Sequence, residues 1–314
     1  MLHHFFISFN AVAPLFLMIL LGMGIKKMGL ASPKTVVEMN SIVFHFLMPV
    51  LLCRNIGTAT LEAALRPRLL LFTLISIPLI WLLCIRVISL FNQANQERGA
   101  IIQGICRSNF ALFGLPLVSQ LTTPEETSIA ALLIVIVIPM YNVFAVILLE
   151  YYRDGKFSPR AILRGISRNP LILGTLAGVL WLASGVTLPV FLDAATQFIA
   201  SSATPLALIT LGAALTFGQR QKSQLPQLIC GIAGRLVVIP LLTIPLGAAL
   251  GFRGAEIAAL LAIFASPTAV AAYTMGTAMG SDSNLSAAIV ALTTLLSSFT
   301  VFIWIVVLLN FGLI

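Results

Sequence analysis

The most restrictive feature of this sequence is the length of its uncharged apolar runs. From Thr127 to Leu149, 23 residues pass without an Asp, Glu, Lys or Arg, and none of these occurs in the 32 residues after Asp282. Runs of about 18 or more suit a helix that crosses a bilayer. They do not suit an outer-membrane barrel, whose strands alternate over about ten residues. The segment Ala130-Ala-Leu-Leu-Ile-Val-Ile-Val-Ile138 does not alternate. The chain is 59% hydrophobic and 9% charged, against about 25% charged in soluble domains. This excludes a soluble enzyme, a disordered chain and a nucleic-acid-binding domain. Cys53, Cys84, Cys106 and Cys230 form no C-x-x-C pair, so no metal or disulfide framework is indicated.

Gly, Pro and charge divide the apolar runs into ten expected spans, near 5–25, 36–55, 68–91, 99–121, 128–150, 169–186, 190–217, 227–250, 255–279 and 284–311. Lys26 and Lys27 follow the first run, which has no basic residue before it apart from His3 and His4. It therefore reads as a retained span and not a cleaved leader. With the N-terminus outside, 12 of the 18 basic residues fall on the cytoplasmic side and four, Arg54, Arg66, Arg68 and Arg253, on the other. The positive-inside rule then expects both termini outside the cytoplasmic membrane, the inner membrane of a diderm cell. Arg54, Arg66 and Arg68 stand against the trend. The +8 net charge reads as topology, not as a partner signal.

The polar connection 151–168 leaves five spans on each side. An odd number per half gives the halves opposite orientation, as in an inverted repeat. Gly22 and Gly178 are 156 residues apart, Pro49 and Pro205 also 156, and Pro67 and Pro226 159. The expected organisation is a first five-helix repeat over 1–150, a cytoplasmic linker over 151–168 and a second repeat over 169–314.

Gly/Pro-interrupted spans at matching positions in two halves are the best sequence pointer to a transport site. Here they are the fourth, with Arg107-Ser-Asn-Phe-Ala-Leu-Phe-Gly-Leu-Pro116, and the ninth, with Phe264-Ala-Ser-Pro-Thr-Ala-Val-Ala-Ala-Tyr273. Asn109 and Pro267 lie about ten to twelve residues into their spans, roughly 15–18 Å deep in a core of about 30 Å. Opened backbone at that depth must be buried in protein or line a wet cavity. Ser108, Asn109, Ser266 and Thr268 put polar side chains at the breaks. Half-helix N-termini there suit an anion, and freed carbonyls suit a cation. The plainer alternative is two kinked helices whose Ser and Thr bond back to their own backbone.

These motifs resemble the auxin efflux carrier family, which includes plant PIN-type carriers and bacterial members named as malonate or other organic-acid transporters. Asn109-Phe-Ala-Leu-Phe-Gly-Leu-Pro116 is similar to the family's fourth-helix pattern, and Ser266-Pro-Thr268 to its ninth-helix crossover. Leu47-Met-Pro-Val-Leu-Leu52 is similar to its second helix, and Asn169-Pro-Leu171, Gly178 and Pro189 to the opening of its second half. The resemblance runs over essentially the whole chain. It implies an all-α polytopic membrane protein of ten helices in two inverted five-helix repeats. Helices one, two, six and seven would form a scaffold, dimeric in the family. Helices three to five and eight to ten would form a transport domain whose broken fourth and ninth helices cross at the midplane, moving substrate by an elevator-like displacement. Gly114, Pro116 and Pro267 would shape the crossover. Plant carriers have proline where this chain has Ser108, and a long central loop where this chain has about eighteen residues.

Ionisable residues at depth are functional candidates by default. Arg107, beside the fourth-span break, either reads a carboxylate with its planar fork or snorkels and pairs with backbone carbonyls. Arg235 is expected to snorkel or to hold structure, and His45 to be a hydrogen-bonded core histidine. Tyr141 and Asn142, after Pro139, either line the site or cap a kink. All ten carboxylates sit near span ends or in loops, which argues against a carboxylate proton relay and leaves Na⁺ or H⁺ coupling open. No G-x-x-x-x-G-K-[ST] or H-E-x-x-H motif occurs, so no ATP motor, zinc site or other cofactor is expected. The reading is a secondary transporter of a small organic anion, with Arg107, Ser108, Asn109, Ser266 and Thr268 facing the substrate. The alternatives are a channel-like or sensor protein on the same scaffold, and, less favoured, an intramembrane enzyme.

Overall fold

A computed structural model describes residues 2–59, 66–91, 93–154, 159–216 and 224–314. Glu62, Lys156, Arg220 and Lys222, used above for charge and topology, lie outside the described residues. Among the described residues all regular structure is helical apart from one isolated β-bridge.

Among the described residues, thirteen helices follow in chain order. They are α1 (Leu2–Lys27), α2 (Pro33–Gly57), α3 (Pro67–Ser89), α4 (Asn95–Cys106), α5 (Phe110–Leu121), α6 (Pro124–Asp154) and α7 (Pro159–Arg168). Then come α8 (Pro170–Ser184), α9 (Val190–Ala214), α10 (Leu225–Ala249), α11 (Ala255–Ala265), α12 (Val270–Ala278) and α13 (Ser283–Asn310). Among the described residues, six (α2, α3, α6, α9, α10 and α13) are long and apolar enough to cross a membrane, and α7–α8, bent by 59°, makes a seventh if taken as one span. With this pattern the protein is a multi-pass membrane protein. The connection 151–168 is largely helical: α6 runs through Asp154, and α7 occupies its second half.

Three helices contain a turn of π-helix, at Val43–Leu47, Phe110–Gly114 and Gly234–Val238. In each, the next residue's N–H (Met48, Leu115, Ile239) reaches back five residues, and a proline follows immediately: Pro49, Pro116 and Pro240. Proline has no N–H for the carbonyl four residues back and crowds it. A widened turn just before it absorbs that mismatch without ending the helix.

Close packing depends on glycine. A Cβ on Gly22 of α1 would fall 2.1 Å from the Ile209 carbonyl oxygen of α9, and one on Gly212 of α9 would fall 2.0 Å from that of Ile19. On α8, Gly174 and Gly178 would meet the carbonyls of Pro49 and Cys53 on α2 at 2.5 and 2.6 Å. In a bilayer, where lipid tails are as apolar as Leu, such small-residue contacts and van der Waals packing hold helices together. The short helices α4, α11 and α12 lie in the interior of the fold. Every residue of α11 from Ile257 to Phe264 is at most 1% exposed, so this stretch, apolar on every face, is wrapped in protein.

Candidate functional site: a crossing of two broken helices

The breaks between α4 and α5 and between α11 and α12 meet. Ser108 and Thr268 form the isolated antiparallel bridge. The Asn109 N–H donates to the Pro267 carbonyl at 2.9 Å, and the Ala269 N–H to the Arg107 carbonyl at 2.9 Å. Two chain breaks that would each expose backbone to lipid thus satisfy one another. Gly114 permits the approach, since a Cβ there would lie 2.9 Å from the Ala262 carbonyl oxygen of α11.

Four helix ends converge here, and they are treated differently. The C-terminal ends of α4 and α11 are held by Arg235. Its Nε donates to the Ser266 carbonyl at 2.7 Å, Nη1 to that of Ile105 at 3.1 Å and Nη2 to that of Ile263 at 2.9 Å. Gly234 lets α10 come close, because a Cβ there would sit 2.7 Å from the Ile105 side chain. Arg235 is 1% exposed, so it is structural and does not snorkel. The N-terminal ends of α5 and α12 face a cavity of about 60 Å³. Ala111 and Leu112 of α5 and Ala269 and Val270 at the start of α12 line it. First-turn N–H groups have no carbonyl within their own helix to bond.

Arg107, Ser108 and Asn109 line the same cavity, with Tyr141 and Asn142 of α6 opposite. Arg107 is 3% exposed and does not snorkel. Its side chain bonds to Asn142 Oδ1, to the Met275 sulfur at 3.0 Å and to Gln103 Oε1 at 3.4 Å. Its own carbonyl, not its guanidinium, makes the backbone contact to Ala269. The guanidinium has no carboxylate beside it among the described residues. Asn142 passes its other end to Thr175 Oγ1 of α8 at 3.1 Å. The Asn109 Nδ2 is buried with no hydrogen-bond partner, as is Gln103 Nε2.

Ser266 and Thr268 are fully buried and do not line this cavity. The Ser266 hydroxyl donates to the Ala262 carbonyl, and the Thr268 hydroxyl to the Gly104 carbonyl at 2.6 Å. The Thr268 N–H is taken by Thr293 Oγ1 at 3.2 Å. Pro267 lies between them at the crossing, and Pro116 follows the π turn of α5. Gln103, Met275 and Thr175 were not singled out from the sequence. Gln103 is one helical turn before Arg107, and that spacing is the signal that marks it. His45 is hydrogen-bonded to the Ser41 carbonyl at 2.9 Å but exposed, which corrects the expectation of a core residue. It lies four residues after Ser41 and seven after Glu38, on the face of α2 that those exposed residues mark.

A second, polar cavity of about 360 Å³ adjoins the first through the shared lining residues Leu51, Asn55 and Leu112. Arg54 at its edge pairs with Asp193 at 2.7 Å and donates to Gln197 and Thr196.

A family model described as "Membrane transport protein" matches residues 7–305. The chain belongs to this family, the auxin efflux carriers. Among similar proteins of the family is an "Uncharacterized transporter" of Methanocaldococcus jannaschii, 22% identical over 97% of this chain and 100% of that one. Another is a "Putative malonate transporter" of Rhizobium meliloti, 26% identical over 84% of each chain. Membership makes the protein a membrane transporter and leaves what it carries to be argued from the site.

Proposed function

We propose that the protein is a secondary transporter of small organic anions, and that the anion binds between the N-terminal ends of α5 and α12. The observation that carries this reading is Arg107: a buried guanidinium lining a cavity, with neutral partners only. A buried cation without a counter-charge is costly, and a bound carboxylate supplies that charge. The two helix N-termini and Asn109 Nδ2 add donors on the same side. At about 10–15 Å³ per water, the cavity of about 60 Å³ takes the equivalent of roughly four to six waters. That favours a short mono- or dicarboxylate, malonate-like in size, over an aromatic, auxin-like acid. Ser266, Pro267, Thr268, Gly114 and Pro116 build the crossover, and Arg107, Ser108 and Asn109 face the substrate.

The ten expected spans take α4–α5 and α11–α12 as the broken fourth and ninth helices. The inverted repeat is supported by paired contacts. Gly22 lies against Ile209 and Gly178 against Cys53, and both partners of the first contact are related to those of the second by an offset of 156. In an elevator arrangement, α1, α2, α8 and α9 form the scaffold, within a dimer of the family's type. The crossing moves against it, and the Asn142–Thr175 bond spans the sliding boundary. The polar cavity beside Arg54 is then the route to the site from outside the inner membrane, and Arg235 seals the opposite face. One-sided access favours a carrier over a channel or sensor. Na⁺ or H⁺ coupling is compatible with this arrangement.

The test is counterflow in proteoliposomes across a panel of mono- and dicarboxylates. Saturable exchange of a short carboxylate is expected. Failure of every carboxylate, or unchanged KM in both Arg107→Gln and Asn109→Ala, overturns the assignment.

A further inference from the structure

We infer that a third cavity, separate from the crossing, is a site for the headgroup of an anionic phospholipid. It has a volume of about 460 Å³ and shares no lining residue with the crossing cavity. Its walls come from the π turn of α2, the end of α6, α7 and the start of α8. They carry Arg153, Arg164, Arg168, His45 and Asn169, with Glu150 as the one carboxylate among the described side chains. Arg153 is 3.7 Å from Glu150, whereas Arg164 and Arg168 make no ion pair among the described residues. These two arginines are four residues apart on α7 and so project from one face. Gly165 between them brings α7 against α6, because a Cβ there would lie 2.9 Å from Glu150 Cγ. Asn169 caps the N-terminal end of α8 at this cavity, its Oδ1 accepting from the Leu171 and Ile172 N–H groups at 3.0 and 3.3 Å, and that end adds a positive dipole end.

Three guanidiniums around one cavity match a phosphate, whose oxygens accept paired N–H donors. The surroundings select the source of that phosphate. α7 buries Ile162 and leaves Leu163 68% exposed, next to the basic cavity. Tyr151, on the adjoining turn of α6, is also exposed. A basic and apolar face on one short helix is the pattern of a segment lying in the membrane interface. A phospholipid fills both parts, with its headgroup in the cavity and its acyl chain along Leu163. A soluble phosphate fills only the first. Basic pockets between membrane helices on the Lys/Arg-rich face are suited to anionic lipids.

The experiment is thermal unfolding of the purified full chain in neutral detergent, with phosphatidylglycerol, phosphatidylcholine or glycerol 1-phosphate added. Phosphatidylglycerol is expected to raise Tm by at least about 2–4 °C, with no rise from the other two. The double variant Arg164→Gln/Arg168→Gln should lose that rise and keep the wild-type Tm in phosphatidylcholine. A rise with glycerol 1-phosphate equal to that with phosphatidylglycerol would assign the cavity to soluble anions and overturn the lipid reading. An unchanged phosphatidylglycerol response in the double variant would overturn the site. Should the variant fold poorly, native mass spectrometry of the wild type decides: no preference for bound phosphatidylglycerol over phosphatidylcholine defeats the proposal.

Discussion

Arg235 and Arg107 are two buried arginines on opposite sides of one helix crossing, and their surroundings are opposites. Arg235 donates from all three of its nitrogens to backbone carbonyls at the C-terminal ends of α4 and α11. Those ends carry partial negative charge, so the guanidinium and the helix ends neutralise each other. Arg107 has an amide oxygen, a second amide oxygen and a thioether, none of them charged, and it borders open space. Burial alone therefore does not mark a functional arginine. What distinguishes the two is whether the acceptors already present answer the charge.

The sharpest way to break this comparison is Arg235→Gln. It leaves three carbonyls at buried helix ends without their shared donor, and should cost about 3–5 kcal/mol. The expected outcome is a Tm lowered by roughly 10 °C and poor recovery of folded protein in detergent. A stable, fully active Arg235→Gln protein would show that the carbonyls find other partners.

Arg107→Gln should do the reverse. It removes an uncompensated charge, so Tm should stay within about 2 °C of wild type or rise. The lost charge-assisted bonds to a carboxylate, about 1.5–3 kcal/mol, should raise KM roughly 10- to 100-fold. Uptake kinetics and thermal unfolding on the same preparation separate the two effects. A fall in Tm with KM unchanged would place Arg107 with Arg235 as a structural residue.

This difference was only half legible in the sequence. The spacing of Gly, Pro and charge located the helices, and Asn109, Pro116 and Pro267 marked both breaks. Depth alone does not separate Arg107 from Arg235, because both lie about eight residues into a span; only the break beside Arg107 sets it apart in the sequence. Apart from Gln103, one helical turn before Arg107, their acceptors are 28 to 168 residues away in sequence, beyond any local pattern. For the same reason Thr268 reads as a ligand group, although its hydroxyl is occupied by the Gly104 carbonyl 164 residues away. Ser266 instead bonds back to the Ala262 carbonyl one turn earlier, the plainer alternative that the sequence already offers. Arg54 and Arg68, which ran against the charge bias, are also explained by distant partners: Asp193 for the first and the Leu250 carbonyl for the second. The π turns were visible only as prolines, since a sequence shows the missing donor but not how the helix absorbs it.

Asn142→Asp sharpens the comparison by giving Arg107 the negative partner it lacks. A carboxylate at that position competes with the transported anion for the same guanidinium. KM should rise about tenfold, equivalent to about 1.4 kcal/mol, while Tm rises or holds. Counterflow measured alongside Arg107→Gln provides the control, because the double variant should be no worse than Arg107→Gln alone. Independent, multiplying effects in the double variant would show that Asn142 acts on the substrate without passing through Arg107.

The smallest expected effect is at Thr175, whose hydroxyl receives Asn142 Nδ2 from across the boundary between α6 and α8. Arg107, Asn142 and Thr175 form a chain that is neutral beyond its first member, so cutting its far end should disturb the charge little. Thr175→Val keeps the shape of the side chain and removes the acceptor, at a cost of about 0.5–1.5 kcal/mol for one neutral hydrogen bond. If α6 slides against α8 during transport, that bond must break in every cycle. Its loss should then change kcat by about two- to fivefold and leave KM nearly unchanged. A change in KM with kcat constant would instead mean that Thr175 serves only to aim Asn142 at Arg107. The boundary between α6 and α8 would then stay closed while the anion moves.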